Sequence, residues 1–99
     1  MNISKLNATN VTDGVEFNTI AGKLNILDTN ITATNFAILV KKSPNDDVNI
    51  SNNILKVNTD KHAIEFKNNI NANLSISNTD IDSGGYPLVV GGNVNQVTL

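Results

Sequence analysis

The segment LNILDTNITATNFAILV, residues 24–40, returns fifty residues later as LSISNTDIDSGGYPLVV, residues 74–90. Identities fall at Leu24/Leu74, Ile26/Ile76, Thr29/Thr79, Ile31/Ile81 and Val40/Val90, and Phe36/Tyr86, Ile38/Leu88 and Leu39/Val89 are exchanges of like for like. Roughly one or two identities are expected by chance over such a length, so the likeness constrains the fold more than any other feature. It extends backwards, since VEF at 15–17 recurs as IEF at 64–66 with the offset reduced to 49, which one inserted loop residue explains. Thr12-Asp13 and Thr59-Asp60 precede these segments in the same way. The competing explanation is a biased composition that generates similar segments without duplication.

Two divergent tandem units follow, residues 1–43 and 48–99, joined by an exposed turn at 44–47 within KKSPNDD, where Ser-Pro and Asn-Asp supply turn chemistry. Ninety-nine residues make a single domain of ordinary size. Eleven Ile, nine Val, eight Leu and nine Thr against four aromatic residues favour strands. The expected fold is all-β, with the two units forming one sandwich- or barrel-like domain. Asp13-Gly14, between short alternations of apolar and polar residues, predicts a hairpin, and Ala21-Gly22 a further reversal. Leu24, Ile26 and Ile31 fit one buried face broken by a turn at Asp28-Thr29-Asn30, and residues 38–40 predict a strand buried on both sides. The second unit repeats this plan through ILKV, AIEF, NLSIS and YPLVV. Residues 61–69 admit a two-turn helix with Ala63, Phe66 and Ile70 on one side, although the counterpart after Gly14 reads as strand. A last strand is expected from Val94 to Leu99, either completing the sheet or adding to a neighbouring copy's edge.

Composition excludes several functions. All seven basic residues are Lys and the net charge is −2, which argues against a nucleic-acid partner, because guanidinium groups dominate phosphate and guanine recognition. The absence of Cys removes disulfides and thiolate chemistry and leaves the redox compartment open. The longest apolar run, FAILV at 36–40, is too short to cross a bilayer or to act as a signal, so no membrane partner is expected.

Candidate sites are few. Asp80 and Asp82 in TDIDSGG, with Gly84 and Gly85 behind them, could hold two oxygens on a calcium ion, but the aligned first unit has Asn30 and Thr32, and a polar turn is the simpler reading. Asp46-Asp47 reads as a solvated loop tip. His62, the single histidine, sits in a predicted turn beside Asp60 and Lys61 with no strained nucleophile nearby. Glu16 and Glu65 occupy equivalent repeat positions, and in alternating strands they point outward. No catalytic, cofactor or metal residue is assigned, and the expectation is a protein that is not an enzyme and needs no cofactor. Six Asn-x-Ser/Thr triplets, starting at Asn2, Asn7, Asn10, Asn30, Asn49 and Asn73, are glycosylation acceptors in form, yet each is also polar-apolar-polar, the period of a strand with one wet face.

Nineteen Asn, abundant Ile and Thr, few aromatics and neither Arg nor Cys give a chain that resembles, over its whole length and in composition, bacteriophage virion proteins of the fibre, spike-shaft and capsid or tail decoration kind. The resemblance implies a noncatalytic structural component located in the virion, a homo-oligomer, with a trimer favoured, that docks on other virion proteins. Short uncharged polar residues on a wet face suit edge pairing between chains. The second expectation is a glycan-binding or adhesive surface module in which Asn and Asp read sugar hydroxyls; Phe36 and Tyr86 could supply an aromatic platform, though both are expected to pack inward.

Overall fold

The computed structural model describes residues 1–58 and 60–99, and among them it contains strands, bends and turns and no helix. Eleven strands run in order: β1 (Asn2–Ser4), β2 (Asn7–Phe17), β3 (Leu24–Leu27), β4 (Asn30–Val40), β5 (Val48–Ser51), β6 (Ile54–Lys56), β7 (Ile64–Phe66), β8 (Ile70–Ser77), β9 (Asp80–Asp82), β10 (Leu88–Val90) and β11 (Val94–Thr98). Every pairing among them is parallel. Parallel neighbours cannot be joined by a tight hairpin, so a whole circuit of chain separates each strand from its partner. The circuits stack as a β-solenoid of about four turns.

This corrects the expected sandwich or barrel. In a sandwich two sheets face each other across one seam, and a barrel closes a sheet on itself; here successive coils lie on top of one another along an axis. The first sheet has the order β1-β3-β5-β8-β11 and the second β10-β7-β4-β6-β9, with β2 on the remaining edge of β4. The first part of β4 pairs with β6 and its last part with β7, so one long strand becomes two short ones in the next coil. Thr32 and Ile38 are six positions apart, whereas their partners Lys56 and Ile64 are eight apart, and the two extra residues open a loop.

The registers explain the internal likeness. Leu24 pairs with Val48 and Val48 with Leu74, steps of twenty-four and twenty-six residues, so the fifty-residue offset spans two coils. Val15 pairs with Ile38 and Ile38 with Ile64, steps of twenty-three and twenty-six, which gives the offset of 49. The extra residue of the second unit lies between Phe66 and Leu74, where residues 67–73 number one more than residues 18–23 between Phe17 and Leu24. Thr59, half of the Thr-Asp correspondence, lies outside the described residues.

Side chains alternate inward and outward along each strand, and inward ones stack on their register partners. Ile3, Ile26, Ile50 and Ile76 form one stack, and Ile38, Ile64 and Leu88 another. The middle coils are sealed: Leu24, Ile26, Ile31, Ile38, Ile50, Leu55, Ile64 and Leu74 have no exposed surface. Ile38, Leu39 and Val40 are all buried, as the apolar run requires. Toward the ends the same stacks are only partly covered, at Ile3 and Leu6 on one side and Ile81, Leu88, Val90 and Val94 on the other.

The corner between the two sheets is built alike in every coil. Lys5, Asp28, Asn52 and Asn78 all have positive φ, from 44 to 58°. Asn and Asp tolerate this left-handed conformation better than other side chains, which is why three of the four corners use them. The turn expected at Asp28-Thr29-Asn30 is this corner. Ladder bonds run straight through it: Asn30 N donates to Leu6 O, Ile54 N to Thr29 O and Asp80 N to Asn53 O.

One local expectation fails, the helical alternative at 61–69 is not taken up, and the last strand takes the first of its two expected places. Asp13 and Gly14 lie inside β2 and reverse nothing; Gly14 is there because a methyl group at its position would overlap the Ala37 carbonyl of the adjacent coil. Residues 61–69 form no helix; Phe66 and Ile70 are buried because β7 and the start of β8 turn them into the solenoid, and Ala63, just before β7, is buried where its carbonyl accepts from Ala37 N and Ile38 N. The last strand pairs parallel with β8 and so continues the first sheet.

Candidate functional site

The residues singled out in the sequence are dispersed over the surface. Asp80 and Asp82 flank Ile81 in β9, in place of the loop expected there, and both side chains are exposed. Among the described residues no group of three or more His, Cys, Asp and Glu is placed to hold a metal ion. Glu16 and Glu65 do project outward but stand two rungs apart, with Leu39 between them in register. Each has its own cation: Lys41 Nζ is 3.3 Å from Glu16 Oε2 and Lys67 Nζ 3.9 Å from Glu65 Oε2.

His62 and Tyr86 meet at the corner where residues 61–62 lie against residues 85–86. The backbone N of Tyr86 donates to His62 Nδ1 at 2.9 Å, and the two rings stack with centroids 5.6 Å apart. A ring nitrogen that accepts this bond is held as a structural partner of the loop above it. Gly85 N donates to Lys61 O in the same place, and a side chain at Gly85 would overlap that carbonyl. Tyr86 does not pack inward as expected; it is 70% exposed, while Phe36 is half-buried.

The feature that brings chemistry together lies on the outer face of the first sheet, and the sequence reading missed it. A groove of about 330 Å³ is lined by Lys23, Asn25, Asp47, Val48, Asn49, Asn73 and Ser75. Its geometry follows from the register. Leu24, Val48 and Leu74 share one inward column, so the residues before them, Lys23, Asp47 and Asn73, stand in one outward column, and Asn25, Asn49 and Ser75 stand in the next. The groove runs between these columns, parallel to the solenoid axis.

Local bonds fix its walls. Leu24 N donates to Asp47 O and Asn73 N to Asp47 Oδ1, both at 3.1 Å, which ties three successive coils together at the Asp47 position. The adjoining loop 41–47 is held by Asn71, whose N donates to Pro44 O and whose Nδ2 donates to Asn45 Oδ1. Asp46-Asp47 is therefore part loop and part groove wall. At the first coil Asn25 Nδ2 donates to Asn2 Oδ1 at 2.8 Å, extending the amide column by one rung. Among the described residues the side chains of Asn49, Asn73 and Ser75 make no hydrogen bond within the protein. The sequence does carry a trace of this face: triplets with a central Ile start at Asn2, Asn25, Asn49 and Ser75, one per coil.

Comparison with protein-family models, with curated proteins and with solved structures found no match to this chain.

Proposed function

We propose that the protein is a noncatalytic structural component of a virus particle, of the phage fibre or decoration kind, which works by association of identical chains through the ends of their solenoids and by docking on the particle. The observation that carries this reading is the pair of open ends. Among the described residues, β1 and β2 at one end and β9, β10 and β11 at the other each pair on one edge only. An unpaired parallel edge over a half-covered aliphatic interior is a template for another strand. Among the described residues, three of the four large exposed apolar side chains other than Tyr86 lie on terminal coils or beside them, Met1 at one end and Val97 and Leu99 at the other, with Ile54 on the second sheet as the exception.

The composition that resembles phage fibre and decoration proteins supports the particle setting, and a repeat fold whose outer residues are short amides and hydroxyls supports a durable, extended part. Stacking of one end on the other is a heterologous contact, which gives a closed ring or an open filament according to the rotation per copy. A trimer is the closed form that the compositional resemblance favours. The test is the mass in solution at micromolar concentration by light scattering, where a multiple of 10.6 kDa is expected. Charges introduced by Val97→Asp and Leu99→Asp should lower that mass. A stable monomer that antibodies fail to detect on virus particles would overturn the reading.

A further inference from the structure

We propose that the groove on the first sheet binds a linear, uncharged polysaccharide laid along the solenoid axis, with about one sugar ring per rung. This goes beyond the assembly role, which uses the ends of the solenoid and leaves its faces free. Three observations carry it.

The first is shape. The two columns that form the walls stand two residues apart on each strand, so they are about 7 Å apart, and successive rungs are about 4.8 Å apart. A sugar ring in an extended chain advances by about one such step. The register carries the columns past the groove itself, to Asn2 beside Asn25 and to Gln96 and Thr98 beside Asn73 and Ser75. Five rungs give a track about 19 Å long, enough for about four rings in a row.

The second is chemistry. Asn amides both donate and accept, and a Ser or Thr hydroxyl does the same, which matches the mixed donors and acceptors of sugar hydroxyls. Asn49 and Asn73 are exposed and, like Ser75, keep their side-chain hydrogen-bonding capacity free among the described residues. The backbone beneath them is locked in a ladder, so binding costs little ordering of the protein.

The third is charge. Among the described residues, Lys23 and Asp47 are the only charged ones lining the groove, and they carry opposite signs. Neither is in an ion pair among the described residues. A polyanion or a polycation would gain from one and be repelled by the other, so the balance favours a neutral chain. An extended peptide is a poorer occupant, because it would need a free strand edge, and in the middle of this sheet both edges of every strand are paired.

With no aromatic side chain in its lining, the site relies on a few exposed hydrogen bonds, which sets the dissociation constant on the order of 1 mM. The test is a nuclear magnetic resonance titration of the full chain with cellohexaose and chitohexaose, both extended and neutral, alongside maltohexaose, which is curved, and polygalacturonate, which is charged. The expected result is that at least one extended neutral sugar shifts the side-chain amide signals of Asn25, Asn49 and Asn73. Asn49→Ala and Ser75→Ala should each weaken binding severalfold without changing the thermal midpoint, and Tyr86→Ala should leave it unchanged. The proposal is overturned if neither neutral extended sugar shifts these signals at about 10 mM, some tenfold above the expected constant. It is equally overturned if the shifts gather at Tyr86 and His62, or if maltohexaose or polygalacturonate binds as well as the extended neutral sugars.

Discussion

Asn53 Oδ1 accepts two hydrogen bonds from Thr29, one from its backbone N and one from its Oγ1, both at 2.9 Å, in a corner from which both residues are shut off from water. The same side chain donates through Nδ2 to Ile26 O at 3.1 Å. One amide in the third coil therefore satisfies three polar groups of the second. No buried side-chain nitrogen or oxygen among the described residues lacks a partner. Asn53→Ala should cost about 3 kcal/mol, since it strands two donors and an acceptor in a dry corner. Chemical denaturation of the two proteins checks this.

Asn53→Asp is a sharper variant. A carboxylate could still accept from Thr29 but would face the Ile26 carbonyl, so burial and this oxygen push the new carboxyl's pKa above its unfolded value. The folded state then binds more protons than the unfolded state, and stability must fall as pH rises. The variant should be most stable below the ordinary aspartate range and lose stability as pH climbs through its folded pKa. Denaturation midpoints across a pH series test the sign against the parent protein.

The positive φ of Asn52 makes its corner selective. Asn52→Gly should be neutral within a few tenths of a kcal/mol, because glycine enters this region freely. Asn52→Val should cost about 2 kcal/mol, since a β-branched side chain is strained there. Thermal melts of both variants measure the difference.

Gly14 packs where a side chain would overlap the backbone of Ala37, and backbone cannot swing aside as a side chain could. Gly14→Ala should cost about 1–3 kcal/mol through overpacking, although alanine is otherwise better suited to ordered backbone than glycine. Hydrogen exchange should show the loss concentrated at the β2–β4 pairing.

Core position along the axis sets the cost of a cavity. Leu74 is fully buried, while its partner in the terminal rung, Val97, is 40% exposed. Leu74→Ala should cost about 3 kcal/mol and Val97→Ala under about 1 kcal/mol, because a half-wet site loses less transfer free energy and leaves no void. Parallel denaturation curves compare the two.

The strand content, the buried faces and the fifty-residue likeness were legible because they rest on period-two alternation, which local sequence carries. The coil was not, because adjacent coils resemble each other less than alternate ones do. Leu24 aligns with Leu74 by eye, but its direct partner is Val48, and Thr29 aligns with Thr79 while its partner in the corner is Asn53. Asp13-Gly14 misled because its glycine answers to a neighbour twenty-three residues away, Ala37, and no turn is involved. The groove was hidden for the same reason: Lys23, Asp47 and Asn73 share no residue type, and only the register brings them into one column. The clearest missed signal was the triplet with a central Ile that starts at Asn2, Asn25, Asn49 and Ser75, once per coil, of which a strand with one wet face accounts for the alternation but not for the spacing.

Oxidative cross-linking measures the rung order directly, since the chain has no cysteine of its own. Adjacent parallel strands lie about 4.8 Å apart, within reach of a disulfide, while strands two rungs apart are about 9.6 Å apart and beyond it. Cysteines at positions 25 and 49 in one variant (Asn25→Cys, Asn49→Cys) should form an intramolecular disulfide readily, and cysteines at 25 and 75 in another (Asn25→Cys, Ser75→Cys) should not. Efficient bridging of the second pair with none of the first would place the two fifty-residue units side by side and contradict the solenoid.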